Sequence, residues 1–133
     1  MGCLKNLLQR DLEKVRIASD LFFRTLRLIE IANDHNVPWT LENPKTSRVW
    51  LVPQVRNLVE HGASFFAADF CQYKMPWRKA TLFLASGLPG LACLKTCSGS
   101  FGLCSATKKR HIILQGRDAS GTFLTHRGAN HIH

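Results

Sequence analysis

The first periodic segment of the chain predicts a long amphipathic helix over residues 11–35. Apolar residues recur there at steps of three and four, which places them along one helical face: Val15, Ala18, Phe22, Leu26, Ile29 and Ala32. Basic residues, including Arg16 and Arg27, fall on the other sides. The sequence Asn33-Asp34-His35-Asn36 favours a turn and ends the helix.

Short apolar segments after this helix predict two strands on either side of a second helix. The strands are expected over residues 37–42 and 64–71, and the helix over 53–61. Pro53 suits the first helical position, and Gly62 suits the left-handed residue after the last. Alternation of helix and strand with short connections predicts an α/β sheet of parallel strands with helices packed on its faces.

The pattern changes beyond Cys71. Two strand-like stretches, 81–85 and 111–115, are separated by a segment rich in Gly, Ser and Cys. We therefore expect a hairpin and an irregular Cys/His loop over 72–116, within one partial domain spanning 1–116. Residues 117–133 have no clear period and are expected to form an irregular tail.

The net charge favours a polyanionic partner. Lys and Arg number 18 against nine Asp and Glu, giving a formal charge of +9. Each phosphate that a cation neutralises releases counterions, so such a chain binds nucleic acid favourably, although many basic domains are merely soluble.

The cysteines indicate a reducing compartment. Five are present, the first residues carry no apolar leader, and no apolar run approaches the length of a membrane span. We expect an intracellular protein, cytoplasmic or nuclear, without membrane contact, whose cysteines are thiols or metal ligands rather than disulfides.

Three of the candidate metal ligands recur at even spacing. Cys97, Cys104 and His111 are seven positions apart, and a structural zinc site needs one more ligand, which Cys93 or Cys71 could supply. The spacing lies outside the common zinc motifs, so small buried thiols in an irregular loop are the alternative.

A polar motif ends the first predicted strand. Glu42-Asn43-Pro44 lies at the carboxyl end of the predicted strand, where ligands bind in open α/β sheets. A carboxylate there can form hydrogen bonds with the edge of a nucleobase. The alternative is a polar turn with a capping role.

A second candidate segment runs from Asp69 to Thr81. It combines Tyr73 and Trp77 with Arg78 and Lys79, a mixture that suits stacking on bases and contact with phosphates. A solvated hairpin explains the charges equally well, and burial in the core is the stronger interpretation of the three tryptophans, Trp39, Trp50 and Trp77.

Three motifs occur in order: PWTLENPKTSRVW, DFCQYKMPWRKATLFLAS and Cys-x6-Cys-x6-His. With these motifs in this order, the chain resembles the carboxyl-terminal half of divergent S-adenosylmethionine-dependent DNA cytosine-5 methyltransferase-like proteins of phages and mobile elements. The resemblance extends from about Val15 to Gly116. The resemblance implies a partial Rossmann-type sheet with flanking helices.

The resemblance also implies roles for individual residues. Glu42 would recognise a cytosine flipped out of the duplex, with Asn43 and Pro44 shaping the pocket. A later motif would support the pocket and approach DNA, and it corresponds to Gln72, Tyr73, Pro76, Arg78 and Lys79. Lys74 departs from the family pattern, which usually has Gly after Gln-Tyr.

Two catalytic elements of the family are missing before Glu42. The sequence there has neither the Pro-Cys motif that carries the nucleophile nor a Gly-x-Gly cofactor loop. We therefore expect a methyltransferase-like fragment that is inactive alone and does not bind S-adenosylmethionine by itself. DNA, and a complementary amino-terminal half on another chain, are the expected partners.

Two further interpretations remain open at this point. The chain could be a small zinc-stabilised nucleic-acid-binding module, or the product of a remnant reading frame without selected function.

Overall fold

The computed structural model describes residues 9–114 and Ser120, so the predicted tail lies almost wholly outside the described residues. Two α-helices are present, α1 (Gln9–Asp34) and α2 (Pro53–Glu60), together with three strands, β1 (Trp39–Pro44), β2 (Ser64–Asp69) and β3 (Ala80–Ser86). Short 3₁₀ turns cover Arg48–Leu51, Phe70–Tyr73 and Pro89–Cys93. The mixture of helices and sheet confirms the α/β class in its broad sense.

The signals predicted at the ends of α2 are confirmed. Pro53 opens the helix, where its missing N–H costs nothing, and Gly62 follows it with a φ of 104°. The backbone amide of Ala63 then donates to the carbonyl of Leu58, which leads the chain towards β2.

The expected pairing of parallel strands is wrong. The sheet order is β1-β3-β2 and the pairs are antiparallel, because β3 returns between the two strands that the alternation pattern had placed side by side. Residues 111–114 likewise form no strand, although an isolated antiparallel bridge joins Leu103 to Arg110 just before them.

The chain divides into two compact units. Among the described residues, unit 1 comprises 9–41, 48–64 and 85–89, and unit 2 comprises 42–47, 65–84 and 90–114 with Ser120. Buried apolar residues of unit 1 come from α1, α2 and the adjoining segments: Leu26, Ile29, Trp39, Leu41, Trp50, Val55, Leu58, Ala63 and Ala85. Unit 2 buries Ala68, Cys71, Trp77, Leu84, Cys97 and Cys104.

Burial of Trp39, Trp50 and Trp77 confirms that all three belong to a core. The indole N–H of Trp39 donates to the side-chain oxygen of Asn33 at 2.6 Å, so this buried polar group is paired. Among residues 9–114, no helix has both the length and the apolar character required to cross a bilayer.

Candidate metal centre

Four side chains of unit 2 form a compact cluster of potential metal ligands. The sulfur atoms of Cys71, Cys97 and Cys104 and a ring nitrogen of His111 all lie within 4.8 Å of one another. The three thiols are buried and His111 is half-buried. The structure thus brings together the three ligands predicted from their spacing, and Cys71 is the fourth; Cys93 is exposed and lies outside the cluster.

Local backbone structure explains how these four residues meet. Cys71 lies in the 3₁₀ turn that follows β2. The amide of Cys104 donates to the carbonyl of Lys109 at 2.8 Å, and the Leu103–Arg110 bridge closes the same loop, so His111 returns to Cys104.

The turn between Cys97 and Cys104 depends on Gly99. A Cβ atom at this position would collide with the carbonyl oxygen of Leu103. The absence of a side chain therefore permits the close approach of the two backbone segments that carry ligands.

The cluster is close to the size that tetrahedral zinc requires. Zn–S bonds of about 2.3 Å and Zn–N bonds of about 2.0 Å place neighbouring ligand atoms about 3.5 to 3.8 Å apart. The Cys97 sulfur lies 3.7 Å from Nε2 of His111. Three thiols and one imidazole are also a ligand set typical of structural zinc, so these residues could hold a metal ion with little rearrangement.

Hydrogen-bond donors surround the sulfur atoms. The amide and hydroxyl of Ser105 donate to the Cys97 sulfur at 3.4 and 3.5 Å. The side-chain amide of Gln72 donates to the sulfurs of Cys71 and Cys104 at 3.4 and 3.8 Å. Donors of this kind stabilise thiolates, which are the form that binds a metal.

The thiols differ in acidity for identifiable reasons. Hydrogen bonds, the largest from the Ser105 amide, lower the pKa of Cys97 to about 7, and those led by the Thr107 amide lower the pKa of Cys104 to about 7. Burial raises the pKa of Cys71 to about 11. Two of the three thiols are thus prepared for deprotonation, while the third stays protonated until a cation displaces its proton.

Asp69 connects the metal-ligand loop to a basic side chain. Its buried carboxylate accepts a 2.6 Å hydrogen bond from the Cys97 amide and forms an ion pair with Nε of Arg78 at 3.3 Å. Arg78 also donates to the Cys97 carbonyl at 3.4 Å, while about half of its side chain remains exposed. The position of Arg78 therefore depends on the same backbone segment as the metal ligand.

The other residues predicted to approach DNA occupy varied positions. Tyr73 is exposed, and its hydroxyl accepts a hydrogen bond from the Lys95 amide at 2.8 Å. Lys79 is exposed and its ammonium lies 4.6 Å from the centre of the Phe70 ring. The Pro76 carbonyl accepts from the Ile112 amide, and the Gln72 side chain contacts the sulfur cluster. Their contact with DNA remains a prediction.

Sequence reasoning missed the basic run Lys108-Lys109-Arg110. All three residues are exposed, and they lie in the loop between the candidate ligands Cys104 and His111. Three adjacent cations between two candidate ligands are a signal that is visible in the sequence itself.

The net positive charge of the described residues is concentrated in the unit that contains the cluster. In residues 42–47, 65–84 and 90–114, eight Lys and Arg face two acidic residues, of which Asp69 is buried and paired with Arg78. The described residues of unit 1 carry seven basic and six acidic residues and are nearly neutral. A polyanion would therefore be attracted mainly to unit 2.

The Glu42-Asn43-Pro44 motif forms the last three residues of β1. Glu42 is exposed and Asn43 half-buried. The Lys45 amide donates to the carbonyl of Ala80, and the Phe70 amide donates to that of Arg78, so β1 and β2 both end beside the start of β3. The motif thus lies at the sheet edge at which β2 leads into Cys71.

Lys74 adopts the conformation that glycine would favour. It ends the 3₁₀ turn with φ 68° and ψ 14°, in the left-handed region. This is the position at which the chain has Lys and the methyltransferase-like pattern usually has Gly.

No protein-family model, curated protein or solved structure matches this chain.

Proposed function

We propose that the chain binds nucleic acid through unit 2, and that a structural zinc ion bound by Cys71, Cys97, Cys104 and His111 holds the basic surface in place. The observation that carries this proposal is the location of a four-ligand cluster within the unit that bears most of the net positive charge of the described residues. Zinc is preferred to other cations because thiolates and imidazole are its usual structural ligands.

The zinc ion would have a structural role rather than a catalytic one. Its four ligands come from the turn after β2 and from the later loop, segments with little regular secondary structure of their own. Binding energy for such a site is folding energy, so the ion would order both Arg78 and the Lys108-Lys109-Arg110 run.

The first experiment measures metal and fold together. Purified protein should contain close to one zinc per chain, and a chelator should remove it with loss of cooperative thermal unfolding in unit 2. Cys104→Ser should lose the metal, whereas Cys93→Ser, a change of the exposed thiol outside the cluster, should keep it. A metal-free protein that is equally stable with and without chelator would contradict the zinc site.

The second experiment measures binding to fluorescent duplex and single-stranded DNA as a function of salt. Replacing Lys108, Lys109 and Arg110 with Gln should weaken binding and reduce the slope of log K against log[salt] by up to about 2.7 for duplex, if each residue neutralises one phosphate. The control replaces Arg10, Arg48 and Arg56 of unit 1, which removes the same charge. Equal losses for both variants would show nonspecific attraction, and binding unaffected by either would overturn the proposal.

We further propose that the fold derives from the carboxyl-terminal half of a DNA cytosine-5 methyltransferase-like domain, of Rossmann type, with Glu42-Asn43-Pro44 as its base pocket. Two features support this origin. The motif ends β1 at the end of the sheet where β2 leads into Cys71. Lys74 also occupies a left-handed position that Gly in the family pattern would fit without strain.

This origin does not make the chain a methyltransferase. It lacks a Pro-Cys nucleophile and a Gly-x-Gly loop before Glu42, so we expect no methyl transfer from S-adenosylmethionine by this chain alone. Transfer of labelled methyl groups to DNA by the purified chain would overturn that expectation.

The base pocket is tested separately. A cytosine in a mismatch is unstacked at lower cost than one in a matched pair, so a pocket for a flipped base should bind the mismatched duplex more tightly. Glu42→Gln should abolish this preference while leaving zinc content and salt dependence unchanged. If the unmodified chain shows no preference for the mismatch, the pocket is absent, whatever the outcome for zinc.

A further inference from the structure

Helix α1 of unit 1 has apolar residues on two opposite faces. The inner face includes Leu26 and Ile29, which are buried at 6% and 5% exposure. The outer face includes Ile17, Leu21, Leu28 and Ile31, with exposures of 48%, 58%, 66% and 42%. Scattered exposed apolar residues are normal on a protein surface, but these four lie along one face of one helix, in two pairs on either side of Arg24.

The outer face has the spacing of a coiled-coil seam. With Lys14 and Arg24 included, its positions follow steps of three, four, three, four and three, which match alternating a and d positions of a heptad. We call the six residues Lys14, Ile17, Leu21, Arg24, Leu28 and Ile31 the outer stripe. At about 1.5 Å per residue, it extends for about 26 Å.

The two cations indicate which arrangement of paired helices the stripe could form. In a parallel pair, each a or d residue meets its own counterpart, so Arg24 would lie against Arg24 and Lys14 against Lys14 of the second copy. An antiparallel pair that sets Leu21 opposite Arg24 removes both repulsions. Ile17 then faces Leu28, and Lys14 faces Ile31.

One flanking acid complements the antiparallel register. Asp20 adjoins the stripe and lies 3.7 Å from Arg16 of its own helix. In the antiparallel pair, Asp20 comes within a helical turn of Arg24 and Arg27 of the second copy. The aliphatic part of Arg24 can cover Leu21 while its guanidinium reaches that carboxylate.

We propose that the outer stripe is a self-association surface, on which α1 packs antiparallel against α1 of a second copy of this chain. This surface lies on unit 1, whereas the candidate metal centre and the basic run lie on unit 2. The proposal is therefore independent of zinc and of nucleic-acid binding.

Sedimentation velocity of the full chain, from micromolar to near-millimolar concentration, tests the association. The unmodified chain should shift from monomer to dimer, and Leu21→Glu/Leu28→Glu should remain monomeric with unchanged helix content by circular dichroism. The matched control, Val15→Glu/Phe23→Glu, changes two exposed apolar residues of the same helix that lie off the stripe, and it should still dimerise. An unmodified chain that remains monomeric throughout would overturn the proposal.

Orientation is tested at Arg24. Arg24→Leu should tighten the dimer on the order of tenfold, because it replaces a charge at a seam position. The unmodified chain and the Arg24→Glu variant should be mixed and their heterodimer compared with the two homodimers. The heterodimer should be no tighter than the stronger of the two homodimers, the one with the lower dissociation constant, since residue 24 faces Leu21 in the antiparallel pair. Preferential heterodimers would reveal that Arg24 of one chain lies opposite the introduced glutamate of the other, and hence a parallel pair, which contradicts the proposal.

Discussion

The carboxylate of Asp69 accepts a hydrogen bond from the backbone amide of Cys97 at 2.6 Å. This bond joins the last residue of β2 to a candidate metal ligand 28 positions later in the chain. The same carboxylate pairs with Arg78, so one buried charge supports both the ligand loop and an exposed cation.

Asp69→Asn should weaken metal binding about 10- to 100-fold, the usual loss when a group that orients a ligand is changed. The substitution keeps the size of the side chain but removes the charge that pairs with Arg78 and strengthens the bond from the Cys97 amide. Competition against a chromophoric chelator measures the affinity. Glu42→Gln, which neutralises an exposed acid of the same unit, is the control and should retain full affinity; equal affinity for both variants would remove Asp69 from the site.

Gln72→Ala should also lower metal affinity, because the Gln72 amide donates to the sulfurs of Cys71 and Cys104. The methyltransferase resemblance assigns this residue to the approach of DNA, so the variant separates two roles. When fully loaded with zinc, Gln72→Ala should bind duplex DNA as tightly as the unmodified chain. Reduced DNA affinity at full zinc occupancy would instead favour the role that the resemblance implies.

Sequence periodicity was sufficient for α1 and α2 because each has local signals. The residues chosen for the inner face of α1 include the two that the structure buries, Leu26 and Ile29, and Pro53 and Gly62 mark the ends of α2. Strand pairing has no comparable local signal. The placement of β3 between β1 and β2 depends on contacts between distant segments, so alternation alone suggested the wrong neighbours.

The metal centre was predictable only where its ligands lie close together in the sequence. Even spacing identified Cys97, Cys104 and His111, which share one loop. Cys71 is separated from them in sequence, and only the return of the chain after β3 brings it close. Asp69 carried no signal at all, because an acidic residue at the end of a strand is ordinarily a solvated one.

Proton release on zinc binding should differ from that of ordinary thiols. At pH 7, Cys97 and Cys104, each with a pKa of about 7, are half-protonated, whereas Cys71, with a pKa of about 11, is fully protonated. The three thiols should therefore release about two protons at pH 7 and about one at pH 8. Three thiols with the ordinary pKa of about 8.5 would release about three protons at pH 7. At pH 8 they would release slightly over two, roughly twice the number expected for this cluster.

Calorimetry in buffers of different ionisation enthalpy counts these protons. The informative quantity is the number released at each pH, which is lower than for ordinary thiols because the pKa values of Cys97 and Cys104 are lowered. Ser105→Ala, which removes a hydroxyl donor from the Cys97 sulfur, should raise the pKa of Cys97 and with it the proton count at pH 8. A count matching ordinary thiols at both pH values would contradict the hydrogen-bonded thiolates.

Lys74→Gly should stabilise the protein. Lys74 has a φ of 68°, and a residue with a Cβ pays roughly 1 to 2 kcal/mol for the left-handed conformation. Glycine relieves that strain but loses more backbone entropy on folding, so the net gain in the free energy of unfolding should be up to about 1 kcal/mol. Lys74→Ala is the matched control, because it removes the same charge and keeps the strain. Denaturant unfolding of the zinc-loaded variants should rank Gly above Ala, with Ala close to the unmodified chain; an alanine variant as stable as the glycine variant would show that charge, not backbone conformation, governs this position.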